Sequence, residues 1–384
     1  MKIKVLMLGA DDIPGGITGY INTIADLCDA EMFEFHAAVS QIISLESSYL
    51  HDSLIKHILP LTYTYWSFPV RVLQLRRIVR NQNIMLLHMH TARGGFLGCV
   101  ATFALPIAKV YTGHSWRFEQ KINIIERFFF RLYERYISHC STRVTFLTKR
   151  DRDLGLRLGL IKRQKAIAIN TRIMEPKDDG LRAFSQIITR AAYGIPENAK
   201  VIGNTGYLSD RKDPYTFVKA AARIIANIPD AYFLWVGDGE LRHEVERLVH
   251  ELDLARCFTI TGFKPMEQVP IFLKLMDVLL FTSRIEGVPL TLLEAQLCGV
   301  SVVSSAYPGI EEIVEHGATG LTFLPGDARQ AADRVVEILS DDDLLMEMAD
   351  LALVSAKENH SDPAKMADQY EEVYFDAIRC VSKS

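Results

Sequence analysis

Short uninterrupted apolar runs alternate with amphipathic stretches along this chain, and the alternation halts once, over residues 175–198, before it resumes. No other feature constrains the fold as much. A strand wetted on one face alternates apolar and polar side chains, whereas a strand apolar throughout must be covered on both faces. Covered strands separated by helices build parallel sheets sandwiched between helical layers. Strands are expected in the first half over residues 3–9, 35–40, 84–90, 109–113, 143–148 and 166–170, with helices over 16–29, 69–81, 95–105 and 122–138. In the second half they are expected over 200–206, 232–237, 258–262, 278–283 and 302–305, with helix from Asp327 onward. The interruption is polar, carries Pro176, Gly180, Gly194 and Pro196, and reads as a connector. The expectation is an α/β chain of two doubly wound parallel-sheet domains, for which 384 residues suffice. Ligands of such sheets bind beyond the carboxyl ends of the strands, so two sheets facing each other would enclose a cleft.

Composition removes several classes. Apolar residues make up 49% and charged residues 23%, the balance of a globular protein with an ample core. The net charge of −4 hides a basic segment: residues 111–165 hold 13 Lys/Arg against 5 Asp/Glu. Its aromatic and apolar partners point away from nucleic acid. Six scattered cysteines form no Cys-x-x-Cys pair and suit buried thiols of a reducing compartment. The chain runs directly into a strand pattern, so no signal peptide is expected. Its longest apolar stretch, residues 96–108, falls short of the ~20 residues a spanning helix needs. A cytoplasmic location follows, with room for peripheral contact with the inner face of a membrane.

The chemistry concentrates at the strand ends. Glu286-Gly-Val-Pro-Leu-Thr-Leu-Leu-Glu294 places two carboxylates around an expected helix start, with Pro289 at the first helical position and Gly299 as the stop. Free N–H groups at a helix start attract phosphate. Helical side chains lean toward the N-terminus, so Glu294 would tilt back to that anion site while Glu286 sits in the entering loop. Carboxylates beside phosphate repel it and need another partner, for which sugar hydroxyls are suited. A diphosphate with a sugar on each side is a nucleotide sugar. Elsewhere, Gly15-Gly16 follows the first strand and reads either as a close approach to a ligand or as a tight turn. His88 and His90 share a strand face without a third metal ligand. His114 ends the fourth strand among aromatics, and Lys212 precedes Asp213-Pro214, a cap and first helical residue. The loop Val236-Gly-Asp-Gly-Glu240 reads as a structural turn, and Asp151-Arg-Asp153 as a chance match to a metal-binding spelling.

The stretch Ser283-Arg-Ile-Glu-Gly-Val-Pro-Leu-Thr-Leu-Leu-Glu-Ala-Gln-Leu-Cys-Gly299 resembles the Glu-x7-Glu motif of family 4 glycosyltransferases. Val302-Val-Ser-Ser, Pro308-Gly-Ile-Glu-Glu-Ile313, Gly317-Ala-Thr-Gly320, Gly262-Phe263, Thr112-Gly-His114 and Gly15-Gly16 match in order, and residues 110–138 are most similar to bacterial enzymes of polysaccharide and O-antigen assembly. The resemblance implies a GT-B fold. Its acceptor-binding domain would comprise residues 1–172 with a crossover helix in 362–384, followed by a linker at 173–198 and a donor domain at 199–361. It implies retention of configuration without a metal or other cofactor. The catalytic set would be Glu286, Lys212 and His114. Donor contacts would be Gly15, Gly16, Gly206, Phe263, Glu286, Gly287, Val288, Pro289, Leu290 and Glu294, with Glu286 on the donor sugar, Glu294 on the ribose and Lys212 on the diphosphate. One departure stands out: the arginine that usually follows the glycine at position 206 is Tyr207, and Arg211 and Arg284 are the cations near enough in sequence to compensate.

The implied reaction passes a sugar from a nucleotide sugar, a UDP-sugar being favoured, to a glycan or lipid-linked glycan acceptor in cell-surface polysaccharide synthesis, lipopolysaccharide among the products considered. Two other readings share the donor site: a sugar-nucleotide epimerase and a non-catalytic sugar-nucleotide-binding partner. A nicotinamide dehydrogenase is not expected, because no Gly-x-Gly-x-x-Gly follows the first strand with an acidic residue about 20 positions on. Residues 116–137 mix cations with aromatics. They read equally as a basic amphipathic helix against an anionic membrane surface and as a helix packing its aromatics inward.

Overall fold

The computed structural model describes residues 2–9, 16–39, 50–59, 66–119, 122–176 and 185–382. They form two compact units, one of Met1–Arg172 with Asp362–Ser384, the other of Ile173–Ser361. In the first unit lie β1 (Ile3–Leu8), β2 (Phe33–Val39), β3 (Ile55–Ile58), β4 (Leu86–Met89), β5 (Ala108–Gly113), β6 (Arg143–Phe146) and β7 (Ala166–Ala168). They pair in parallel in the order β3-β2-β1-β4-β5-β6-β7. The second unit repeats the scheme with β8 (Lys200–Thr205), β9 (Ala231–Val236), β10 (Phe258–Ile260), β11 (Val278–Phe281), β12 (Ser301–Ser305) and β13 (Leu321–Phe323), ordered β10-β9-β8-β11-β12-β13. Both are doubly wound α/β sheets whose strand order reverses beside the first strand, so the switch points lie between β1 and β4 and between β8 and β11.

Alternate residues of one strand feed different cores. Val278 and Leu280 of β11 join the cluster that contains Phe217, Trp235 and Ile338, while Leu279 and Phe281 join the cluster with Leu292, Leu293 and Ile310. Period-two pointing therefore buries an apolar strand on both faces, which is why these runs lack polar positions. Ile188 and Ile195, in the stretch expected as a connector, are also buried in this second cluster.

Two strands escaped the sequence reading. β3 reads Ile-Lys-His-Ile at the sheet edge and is half exposed, so it has no continuous apolar run. β13 is three residues long. The helix Pro363–Ser382 packs on the helix Gly16–Leu27 and on β5, with Tyr370 and Tyr374 fully buried.

Candidate functional site

The second unit's switch point carries the chemistry. β8 ends at Thr205, and the chain turns through Gly206 at a φ of +140°, where a Cβ would stand 2.9 Å from Cε of Lys212. The positive φ is what favours glycine at this turn. Asp213, in a left-handed conformation, caps the helix Pro214–Ile224, and Thr282 donates to the carbonyl of Lys212 at 2.9 Å. The ammonium of Lys212 lies 3.0 Å from Glu286 Oε1 and 4.8 Å from the centre of the Phe281 ring. Arg211 reaches Glu286 Oε2 at 3.4 Å, and Ser283 donates to Oε1 at 3.1 Å. Ser305 in turn donates to the carbonyl of Ser283. Burial pushes the Glu286 carboxyl upward, but Lys212 and Arg211 outweigh it and hold it below the usual range.

The helix Leu290–Leu297 begins behind this cluster. Pro289 is its N-cap residue and not its first turn, a one-residue correction with a consequence: proline offers no side-chain acceptor, and no cap bond forms. Among the described residues, the N–H groups of Val288, Leu290 and Thr291 find no acceptor. Glu294 stands one turn further on, partly buried, and its carboxylate has no hydrogen-bond partner among the described residues. Burial pushes its carboxyl up to about 7, against the pull of Lys212. Tyr307, from the loop after β12, is buried, and its hydroxyl has no hydrogen-bond partner among the described residues. Its pKa is raised by burial first and then by the charges of Glu286 and Glu311. Sequence reasoning missed Ser283 and Tyr307, whose roles depend on one loop packing against another.

The remaining expectations in this unit divide. Arg284 pairs with buried Asp213 at 3.1 Å. Gly237 and Gly239 press on the neighbouring loop, where added Cβ atoms would meet the carbonyl oxygens of Gly206 and Leu208 at 2.2 and 2.4 Å, so that loop is the structural turn expected. Phe263 follows Gly262 and is 67% exposed. Gly287 and Val288 stand in the loop between Glu286 and the helix.

In the first unit, Gly16 opens the helix Gly16–Leu27, and Gly15 lies outside the described residues. His88 is fully buried between Tyr374 and Thr112, each at 2.7 Å. His90 Nδ1 lies 3.3 Å from His114 Nε2, and Tyr20 meets both rings edge-on. Burial lowers His88 and His90 well below the usual histidine range, and His114 to about 4, so all three rings are neutral at pH 7. Among the described residues no group of three or more His, Cys, Asp or Glu is arranged to hold a metal. Asp151 is tied to Arg150 and Asp153 to Arg152, each at 2.9 Å.

The basic segment is not one helix. Trp116 and Phe118 are core residues, and the helix itself is Ile124–Cys140, closed at its start by a capping box of Asn123 and Glu126. Phe130 and Tyr133 pack inward while Ile124, Ile125, Phe128, Phe129 and Leu132 are exposed beside Arg127, Arg131 and Arg135. Its aromatics thus divide between a face packed inward and a face left exposed. No helix among the described residues is long and apolar enough to cross a membrane.

Residues 185–352 match the family described as Glycosyl transferases group 1. The chain is 24% identical over 316 residues to the UDP-Gal:alpha-D-GlcNAc-diphosphoundecaprenol alpha-1,3-galactosyltransferase of Escherichia coli, covering 80% of this chain and 79% of that one. It is 32% identical over 187 residues to the N-acetyl-alpha-D-glucosaminyl L-malate synthase of Bacillus anthracis, about half of each protein (49% and 48%). In fold it is similar to the sucrose-phosphate synthase of Thermosynechococcus elongatus, with a TM-score of 0.84 at 19% identity over 99% of this chain and all of that one. It is also similar to Anabaena HepE in complex with UDP-glucose, with a TM-score of 0.79 at 19% identity over 96% and 98%.

Proposed function

We propose, from the group 1 glycosyl transferase domain that this chain carries on a GT-B fold, that it moves a sugar from a UDP-sugar to a hydroxyl of a lipid-linked glycan, with retention of anomeric configuration. The observation that carries the reading is the cluster at the β8/β11 switch point: two cations on Glu286, in front of a helix start whose Val288, Leu290 and Thr291 amides find no acceptor among the described residues. That arrangement suits a diphosphate. Glu286 would accept hydroxyls of the transferred sugar and Glu294 those of the ribose, while Lys212 and the amides around Leu290 receive the charge that grows on the leaving phosphate. Charge-stabilising groups of this kind supply the largest catalytic share in many enzymes. The acceptor hydroxyl attacks on the face the phosphate leaves, and the departing phosphate oxygen takes its proton. Because protein groups supply the positive charge, turnover is expected to survive EDTA.

The choice of UDP and of a lipid-linked acceptor is supported by two similar proteins. One is named for a UDP-galactose donor and a diphosphoundecaprenol acceptor, and the other holds UDP-glucose. The exposed aromatic and arginine face of Ile124–Cys140 adds to it, since that chemistry suits the anionic inner face of a bilayer. Gly16 and His114 are proposed as further donor contacts, with His114 acting as a neutral hydrogen-bonding ring.

The test is transfer from a panel of UDP- and GDP-sugars to undecaprenyl-diphosphate-linked acceptors, with the anomeric configuration of the product read by NMR. Release of free UDP and an α-linked product from an α-donor are expected. Donor that is isomerised without an acceptor, or an inverted linkage, would refute the reading.

A further inference from the structure

A nucleoside diphosphate leaves with several negative charges, and a single ammonium answers only part of them. Resting on the donor site proposed above, we propose that Arg211 is the second cation on the diphosphate, filling the role that Tyr207 leaves vacant. Three side chains are close enough in sequence to be considered, and their surroundings separate them. Tyr207 follows Gly206 directly but carries no charge, and it is 52% exposed. Arg284 is committed elsewhere. Its Nε lies 3.1 Å from Oδ2 of Asp213, which is 1% exposed and caps the helix Pro214–Ile224. Asp213 also accepts from the N–H and the hydroxyl of Thr216, so Arg284 is one of several donors fixed on this cap, and it makes no ion pair with Glu286 among the described residues.

Arg211 differs from Arg284 in its partner and not in its exposure, the two side chains being 57% and 51% exposed. Its guanidinium reaches Glu286 Oε2 at 3.4 Å while Lys212 takes Oε1 at 3.0 Å, so adjacent residues of one turn deliver both cations to one carboxylate. The arginine side chain is 57% exposed, which leaves it free to move and cheap to desolvate in part. Its backbone is not free: the N–H of Arg284 donates to the carbonyl of Arg211 at 2.8 Å. Tyr307 gives an independent marker of the same space. Its buried hydroxyl has no hydrogen-bond partner among the described residues, and its ionisation responds to both Glu286 and Arg211.

In this arrangement Glu286 holds the two cations until a donor arrives. Sugar hydroxyls then donate to the carboxylate, and the guanidinium turns its planar fork to the phosphate oxygens, a geometry an ammonium cannot match. As the bond between the anomeric carbon and the phosphate oxygen breaks, both electrons pass to that oxygen. Arg211 and Lys212 bind the charge without giving up a proton.

The experiment compares Arg211→Ala, Arg211→Lys and the double variant Arg211→Ala with Tyr207→Arg, measuring kcat, donor KM and the affinity for UDP, GDP and uridine. Losing the guanidinium should lower kcat by about 10²–10³-fold, as loss of one transition-state donor does. It should weaken UDP binding while leaving uridine unchanged, and Arg211→Lys should recover part of the rate. Tyr207→Arg in the alanine background should restore at least tenfold, because it returns a guanidinium to the same phosphates from the preceding turn. Full activity and unchanged UDP affinity in Arg211→Ala would overturn the proposal, as would a loss that Tyr207→Arg does not relieve. In both cases inactive Lys212→Ala and Glu286→Gln would leave the donor site itself standing. Wild-type protein that binds neither UDP nor GDP would overturn the donor site along with it.

Discussion

Glu286 and Glu294 are two acids in one anion-attracting site, and their surroundings drive them apart. Lys212 and Arg211 keep Glu286 ionised in spite of its burial, whereas the Glu294 carboxylate has no hydrogen-bond partner among the described residues and burial carries it up to about 7. Removing Lys212 strips the developing charge of a donor, so Lys212→Ala should lower kcat by about 10²–10³-fold, equivalent to about 2.7–4 kcal/mol. Its circular dichroism should stay that of the wild type; full turnover would contradict the role. Glu294 makes a prediction of the opposite sign for stability. Its folded pKa lies above the ordinary carboxylate value, so the unfolded chain releases this proton first, and stability falls as pH rises from about 4.5 to about 7. Glu294→Gln removes that penalty, which is at most about 3 kcal/mol for a shift of this size. Without ligand the variant should melt higher than wild type at pH 8 and equally at pH 4.5, yet bind UDP more weakly because an amide accepts fewer ribose hydroxyl bonds. A wild-type advantage in melting at pH 8 would show that Glu294 is paired after all.

Elements differ in how much of them the chain announces. The helix Leu290–Leu297 was legible at both ends, because Pro289 and Gly299 punctuate it, and Gly299 adopts a φ of +70° just past the last turn. What proline could not announce is its own position, one residue outside the helix, and from that follows the uncapped start. The doubly wound order was legible from apolar strands alternating with helices, while β3 and β13 were not, one half exposed at an edge and one too short to show a period. Arg211 and Arg284 were indistinguishable in sequence. Asp213 decides between them through a left-handed cap that the chain does not advertise. For Ile124–Cys140, composition could not say which aromatics face out, since both faces carry them. With Phe128 and Phe129 59% and 63% exposed, replacing both by Ser should leave the melting temperature within a degree or so, as surface changes usually do. Co-sedimentation with vesicles containing anionic lipid should fall at least tenfold, at about 2 kcal/mol or more for each aromatic withdrawn from the bilayer. Equal binding by the variant would remove this face as the membrane contact.

At the scale of the molecule, two units carry separate cores, and the last helix of the chain serves the first of them. Tyr370 and Tyr374 of Pro363–Ser382 are fully buried there. The Tyr370 hydroxyl lies 2.7 Å from that of Tyr20 and within 3.3 Å of Thr112 and Thr145, and the Tyr374 hydroxyl lies 2.7 Å from His88. The C-terminus is thus a structural part of a unit whose other residues lie at the opposite end of the chain. Truncating Tyr374 to Ala opens a large cavity and leaves His88 Nδ1 without its partner, together on the order of 3–5 kcal/mol. Chains of two domains need not melt as one, so calorimetry should resolve the loss. The transition of the first unit should move down by several degrees. The transition of the second should stay in place and still rise on adding UDP, because Lys212, Glu286 and Glu294 all belong to it. Two transitions that fall together would mean that the cores are energetically one, and a second transition that no longer responds to UDP would mean that the donor site cannot form without an intact first unit.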